Sequence, residues 1–253
     1  MTNSCVNVET FTWNNLQADI FLGQHAHAMR LYLKDVVTPA LDAIEARLDE
    51  MSRSNKPADV FGLDGMKALQ RSTIEAFALS LQSLWERQLR EFLKSCACEL
   101  KRSVKQVEEL ERAKWETLLK RFQELRGLPL DAFDSFRELE LLHLLGNACR
   151  HGDGSSARTL SRHWPELWPN LPWSDARVVP RPALLGPDGA PRMTSRSFSE
   201  ISLSRSLLVQ LTHAVIWFWE DHNYIYTNSI TAKHSSIDNA LAKMREERAR
   251  RRR

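Results

Sequence analysis

Residues 140 to 151 carry side chains with acid–base and anion-binding chemistry along one predicted helix. At about 100° per residue, five of them fall within an arc of roughly 100°: Glu140, His143, Asn147, Arg150 and His151. A histidine exchanges protons near neutral pH, an arginine holds a phosphate, and an asparagine orients an imidazole ring. This set suits cleavage of a phosphodiester by a ribose 2′-hydroxyl, a reaction for which no metal is needed.

The same residues also have a purely structural interpretation. A polar face opposite a leucine-rich face is typical of any amphipathic surface helix. His151, which precedes Gly152, can simply belong to the C-terminal cap of the helix. Spacing alone favours this structural interpretation over a catalytic site.

The elements that position these residues are predicted to be helices, because apolar residues recur at steps of three and four and strand signals are few. We expect Pro39 to kink or break the first helix and residues 52–65 to form a loop. The fold class predicted is all-α, a bundle of about five helices. They span about 21–52, 66–98, 104–125, 134–151 and 199–223.

Residues 152–197 are predicted to be a long irregular insertion. Seven of the ten prolines lie here, and the stretch HWPELWPNLPW contains three tryptophans. Proline excludes a regular helix or a central strand, whereas tryptophans usually pack on something. We expect an ordered strap across the helices, and a surface that docks a protein partner is the alternative.

The net charge of +3 is unevenly distributed. Residues 243–253 contribute +5, and the rest of the chain carries −2. A dense basic run attracts phosphate backbones with little sequence preference, and a solubilising end without a ligand is the alternative. The nucleic-acid-binding candidates are Lys243, Arg245, Arg248, Arg250, Arg251, Arg252 and Arg253.

Composition excludes several classes of protein. No apolar run is long enough to span a membrane, and no signal peptide is visible. The four cysteines are irregularly spaced, which predicts neither a disulfide framework nor a metal site. We therefore expect a cytoplasmic protein of 253 residues with one large domain and no cofactor.

The segment around His151 resembles the signature region of the HEPN superfamily (higher eukaryotes and prokaryotes nucleotide-binding). Asn147, His151 and the following Gly152-Asp153-Gly154 match that pattern. The resemblance implies an all-helical domain over 21–235, between an N-terminal extension (1–20) and a basic tail (236–253). It also implies a homodimer with a composite active site. Many such domains are metal-independent ribonucleases of toxin–antitoxin and antiviral defence systems.

One departure from the family pattern leaves two functions open, an RNA-cleaving enzyme and an inactive adaptor. The motif arginine belongs at 144, 145 or 146, where this chain has Leu144, Leu145 and Gly146. If the protein cleaves RNA, His151 is the acid–base group, Asn147 orients it and Arg150 contacts phosphate, with support from His143 and Glu140. The alternative is a catalytically inactive helical adaptor or dimerisation module that binds a protein partner.

Overall fold

The computed structural model describes residues 7–168 and 197–251, and these residues are helical almost throughout. They contain no β-strand, which confirms the all-α class. Helices in the described part outnumber the five predicted. They are α1 (Leu22–Leu31), α2 (Thr38–Arg53), α3 (Pro57–Glu99), α4 (Val104–Arg112), α5 (Trp115–Arg126), α6 (Phe136–His151), α7 (Ser155–His163), α8 (Arg205–Ser229) and α9 (Ser235–Arg251).

The chain forms two compact units, each assembled from separated stretches. The first unit comprises Met1–Ala43, Ser83–Glu140 and Val209–Arg253, and the second comprises Ile44–Gln82 and Leu141–Leu208. Nowhere in the described residues is a helix long and apolar enough to cross a membrane.

The core of the first unit is aromatic and encloses a fully buried histidine, His222. Phe133 stacks on the imidazole with ring centroids 4.8 Å apart, and Phe218 lies at 4.3 Å. His222 Nδ1 lies 3.0 Å from the Phe218 carbonyl oxygen, to which it donates when that nitrogen carries the proton. Burial lowers the pKa of His222 to about 3, so the ring is neutral at physiological pH.

A buried ion pair joins the N-terminal stretch to this core. Arg126 donates to both carboxylate oxygens of Asp19, at 2.8 and 3.1 Å. Its guanidinium carbon lies 3.8 Å from the centroid of the Trp13 ring, a cation–π arrangement. Part of the segment predicted as an extension, residues 7–20, is therefore packed into the first unit.

The predicted loop at residues 52–65 is wrong, because only residues 54–56 are non-helical. Pro57 begins α3, a first-turn position where its missing N–H costs nothing. Gly62 lies inside the helix and is a close-approach site, since a Cβ there would lie 2.9 Å from Met51 Cε. The glycine that suggested a loop instead allows this contact.

The predicted third helix is also wrong in its continuity, because α4 and α5 are separated at Ala113 and Lys114. Both residues have extended backbone angles. Arg90 Nη1 donates to the carbonyl oxygens of Leu110 and Glu111, at 2.8 and 3.3 Å. The arginine thus satisfies carbonyls that the end of α4 leaves unpaired.

The distortion predicted at Pro39 is present and takes the form of a π-helical turn, Tyr32–Val37, between α1 and α2. Proline has no N–H for the carbonyl four residues earlier. The turn just before it uses the wider spacing, with the Thr38 amide bonded to the Leu33 carbonyl.

The predicted irregular insertion, 152–197, is wrong in its first part because residues 155–163 form α7. Trp164 and Trp168 are buried, as expected of packed tryptophans. Trp168 Nε1 donates to the Ser197 carbonyl at 2.9 Å. The rest of the predicted strap lies outside the described residues.

Candidate functional site at the end of α6

The second half of α6 is anchored by its apolar face, so its last turn has a fixed position in the second unit. Leu142, Leu145 and Ala148 are at most 1% exposed. Gly152 ends the helix with φ of +65°, a conformation that glycine adopts without strain. Its N–H donates to the Ala148 carbonyl at 2.8 Å. The helix starts at Phe136, two residues after its predicted start at 134.

Two of the predicted site residues, His143 and Asn147, contact each other directly. Asn147 Nδ2 lies 3.1 Å from His143 Nε2. An amide nitrogen is a donor only, so the imidazole nitrogen must accept, and His143 is then the neutral tautomer protonated at Nδ1. The orienting role predicted for Asn147 is therefore directed in this structure at His143, one turn earlier, and not at His151.

His151 and Arg150 are exposed at the helix end. Neither forms a hydrogen bond or ion pair with any residue in the described parts of the chain. Both side chains are accessible to a ligand. Glu140 is half-buried and belongs to the first unit, whereas the other four candidates belong to the second.

Gly146, one of the three positions at which the resemblance would place an arginine, has no space for a side chain. The glycine is buried where α6 packs on α3. A Cβ at this position would lie 2.7 Å from Gln82 Cγ and 2.8 Å from Gln82 Cβ, closer than real Cβ contacts. Leu145, the neighbouring candidate position, is 1% exposed and faces the core. Two of the three candidate positions therefore have no room for an arginine side chain, whereas the third, Leu144, is half-buried.

Helix α7 supplies basic residues that sequence reasoning missed, because its segment was interpreted as irregular. Arg158, Arg162 and His163 are exposed and follow the α6 end within twelve residues. The one carboxylate in this stretch, Asp153, is occupied, since it accepts hydrogen bonds from Ser197 Oγ and the Phe198 N–H. The signal available in the sequence was the i,i+4 spacing of the two arginines after a Gly-Ser helix start.

The basic tail is largely folded onto the first unit. Arg248 is 4% exposed and lies 3.3 Å from Asp221 and 3.7 Å from Asp134. Arg251 pairs with Glu220 and Asp221, and Arg245 Nε donates to the Tyr224 hydroxyl at 3.2 Å.

Of the other four tail candidates, two lie within the described residues. Lys243 and Arg250 are exposed, and Arg250 lies 3.8 Å from Glu246. Arg252 and Arg253 are outside the described residues.

The α6 end combines proton-transfer and phosphate-binding groups without a nucleophilic thiol. Burial raises the pKa of the nearby Cys149 to about 12, which keeps the thiol protonated. Within residues 7–168 and 197–251, no cluster of three or more histidine, cysteine, aspartate or glutamate residues could hold a metal ion. The exposed imidazole and guanidinium can bind a phosphate and exchange a proton.

Comparisons with protein-family models, with curated proteins and with solved structures gave no match.

Proposed function

We propose that this chain is a HEPN-like helical protein that associates with RNA through the end of α6 and the following α7. The surface concerned, which we call the α6–α7 basic surface, consists of Arg150, His151, Arg158, Arg162 and His163. The HEPN-like assignment rests on the resemblance of residues 147–154. The RNA assignment rests on the exposure and charge of this surface.

The observation that carries the proposal is an excess of unpaired positive charge. Three arginines are exposed here, and none forms an ion pair with a described residue. Asp153 is engaged by the segment at Ser197. Unpaired arginines bind phosphate oxygens and release counterions, which drives association with nucleic acid. The tail is a weaker candidate than its sequence implies, because Arg248 and Arg251 already face carboxylates.

We further propose that the protein binds RNA without cutting it. The close approach of Gly146 to Gln82 and the burial of Leu145 exclude an arginine at two of the three motif positions, and the third position holds a leucine, Leu144. An arginine in that role would stabilise the negative charge that develops on the phosphate. Without it, His151 can still act as an acid or a base, but no arginine lies at the family spacing to stabilise that negative charge.

Cleavage by an altered arrangement is the second candidate, and one observation favours it. Arg150 and His151 are adjacent and both exposed. In a homodimer of this chain, Arg150 of one copy would stand beside His151 of the other and replace the missing arginine. Such an enzyme would be metal-independent and would belong to a toxin or phage-defence module.

The binding proposal is tested by fluorescence anisotropy with a labelled single-stranded RNA of about 20 nucleotides over a salt series. Each phosphate contact to a single strand contributes about 0.7 to the slope of log K against log salt. The double variant R158Q/R162Q should therefore lower the slope by about 1.4. R250Q is the matched control, because it removes an exposed arginine from α9. Equal effects of the two variants, or no binding, would refute the assignment of the surface.

Cleavage is tested on the same RNA with and without a chelator. The proposal expects intact RNA in both conditions. Chelator-resistant cleavage that disappears in H151A and R150Q, with helicity unchanged, would establish the second candidate instead. If RNA is neither bound nor cut while a protein partner binds tightly, the chain is the helical adaptor considered from its sequence.

A further inference from the structure

A cavity of about 410 Å³ lies within the first unit, and none of its lining residues belongs to the α6–α7 basic surface. It is lined by the start of α6, one face of α8 and the end of α9. The charged groups around it are three carboxylates, of Asp134, Glu138 and Asp221, and two guanidinium groups, of Arg248 and Arg251. Its volume falls in the usual range for small-molecule sites.

Arg248 is the group that indicates a ligand. Its side chain is 4% exposed, and Nε, Nη1 and Nη2 are all buried without a hydrogen-bond acceptor among the described residues. Asp221 and Asp134 are near enough to offset its charge, at 3.3 and 3.7 Å, but neither accepts a hydrogen bond from it. Buried guanidinium donors are costly when left unfilled. A planar carboxylate is the acceptor that matches their geometry.

Two further groups on the α6 side of the cavity also lack partners among the described residues. Ser135 Oγ is buried without a hydrogen bond. Glu138 lines the cavity, and no cation of the described residues lies within ion-pair distance of its carboxylate. This side of the cavity is therefore suited to a ligand that carries a cationic nitrogen.

The net charge of the lining selects the ligand class. Three carboxylates against two guanidinium groups leave one excess negative charge. A phosphate or nucleotide would add to it, whereas a ligand with one carboxylate and two cationic nitrogens would neutralise it. The free basic amino acids meet this description, whereas the C-terminal residue of a basic peptide has the carboxylate and the cationic side chain but no α-ammonium group.

We propose that this cavity binds a basic amino acid, with the ligand carboxylate on Arg248 and a ligand cation on Glu138. All of its lining residues lie in the first unit, and none belongs to the α6–α7 basic surface. Loss of one function is therefore measurable without loss of the other.

Isothermal titration of the full chain with L-arginine tests the proposal, and three analogues dissect it. Agmatine lacks the carboxylate and L-citrulline lacks the side-chain cation, so each should bind about tenfold or more weakly, since each loses a charge-assisted contact. Nα-acetyl-L-arginine imitates a peptide end. Its binding as tightly as L-arginine would assign the site to peptide C-termini, and its failure to bind would assign it to the free amino acid.

Variants locate the binding. E138Q should weaken L-arginine about tenfold, and S135A should weaken it less, while R250Q, an exposed arginine of the same α9, should leave it unchanged. These variants avoid the fold risk of replacing Arg248. Absence of saturable heat with L-arginine, equal binding of agmatine, or an E138Q affinity equal to that of the wild type would each overturn the proposal. An equal loss in R250Q would do the same, because it would indicate adsorption to the surface.

Discussion

Replacing Gly146 with alanine tests the close helix contact on which the non-cleaving assignment depends. The new methyl group would lie 2.7 Å from Gln82 Cγ and 2.8 Å from Gln82 Cβ. Both atoms are near the α3 backbone, so rotation of the end of the glutamine side chain cannot relieve the overlap. One helix or the other must shift.

The expected magnitude follows from two opposing effects. Alanine in a helix interior is favoured over glycine by about 1 kcal/mol. Forcing a methyl group into a packed contact costs about 1–3 kcal/mol. G146A should therefore range from neutral to about 2 kcal/mol less stable than the wild type. Gly65 is the matched control, since it lies inside α3 and a Cβ added there would have nothing within 4 Å. G65A should gain about 1 kcal/mol.

Urea unfolding followed by circular dichroism at 222 nm measures both variants against the wild type. The informative quantity is the difference between them, which should be about 1–3 kcal/mol in favour of G65A. Equal gains in the two variants would refute the close contact, and with it the steric reason for the missing arginine. In that case, G146R should be tested for RNA cleavage.

Three further predictions concern the rest of the chain. Burial lowers the pKa of His222 to about 3 in the folded state, whereas the same histidine in the unfolded chain takes up a proton near pH 6.5. Protonation of the unfolded histidine should therefore contribute a fall in stability of about 2 kcal/mol between pH 6.5 and 5, measured in urea titrations as the difference between the pH dependence of the wild type and that of H222F. W168F removes the indole N–H of the buried Trp168, which donates to the Ser197 carbonyl, and should lower the free energy of unfolding by about 1 kcal/mol; an unchanged free energy of unfolding would contradict that contact. Truncation of residues 243–253 should lower the melting temperature as well as any RNA affinity, since the tail is packed; an unchanged melting temperature would contradict that packing.

The sequence was most informative where hydrophobic spacing and helix-ending glycines agree. Gly127 and Gly152, which closely follow the predicted helix ends at 125 and 151, both have positive φ. The same residue type misled at Gly62, where glycine permits contact with Met51. A local pattern cannot distinguish a glycine that ends a helix from one that lets another side chain approach, because the difference lies in a residue distant in space or sequence.

The candidate site was predictable in its residues but not in its partners. The sequence placed His143 and Asn147 on one face, and the structure joins them at 3.1 Å. It could not show that Gln82 fills the space beside Gly146, because this contact links two distant helices. The sequence also could not show which arginines of the tail form ion pairs and which are exposed, since the carboxylate that pairs with Arg248 and Arg251 comes from α8.

The discontinuous make-up of the first unit has a consequence for its synthesis on the ribosome. Its final stretch begins at Val209 and includes α9, whose Leu241 and Arg248 are buried. At roughly 5–20 residues per second, about 2–8 s separate the synthesis of Val209 from that of Arg251. During this interval Asp221 emerges before Arg248, the cation that pairs with it in the finished fold. The first unit therefore completes its packing only after the second unit has been fully translated, and a nascent-chain binding factor would meet it before α9 has packed.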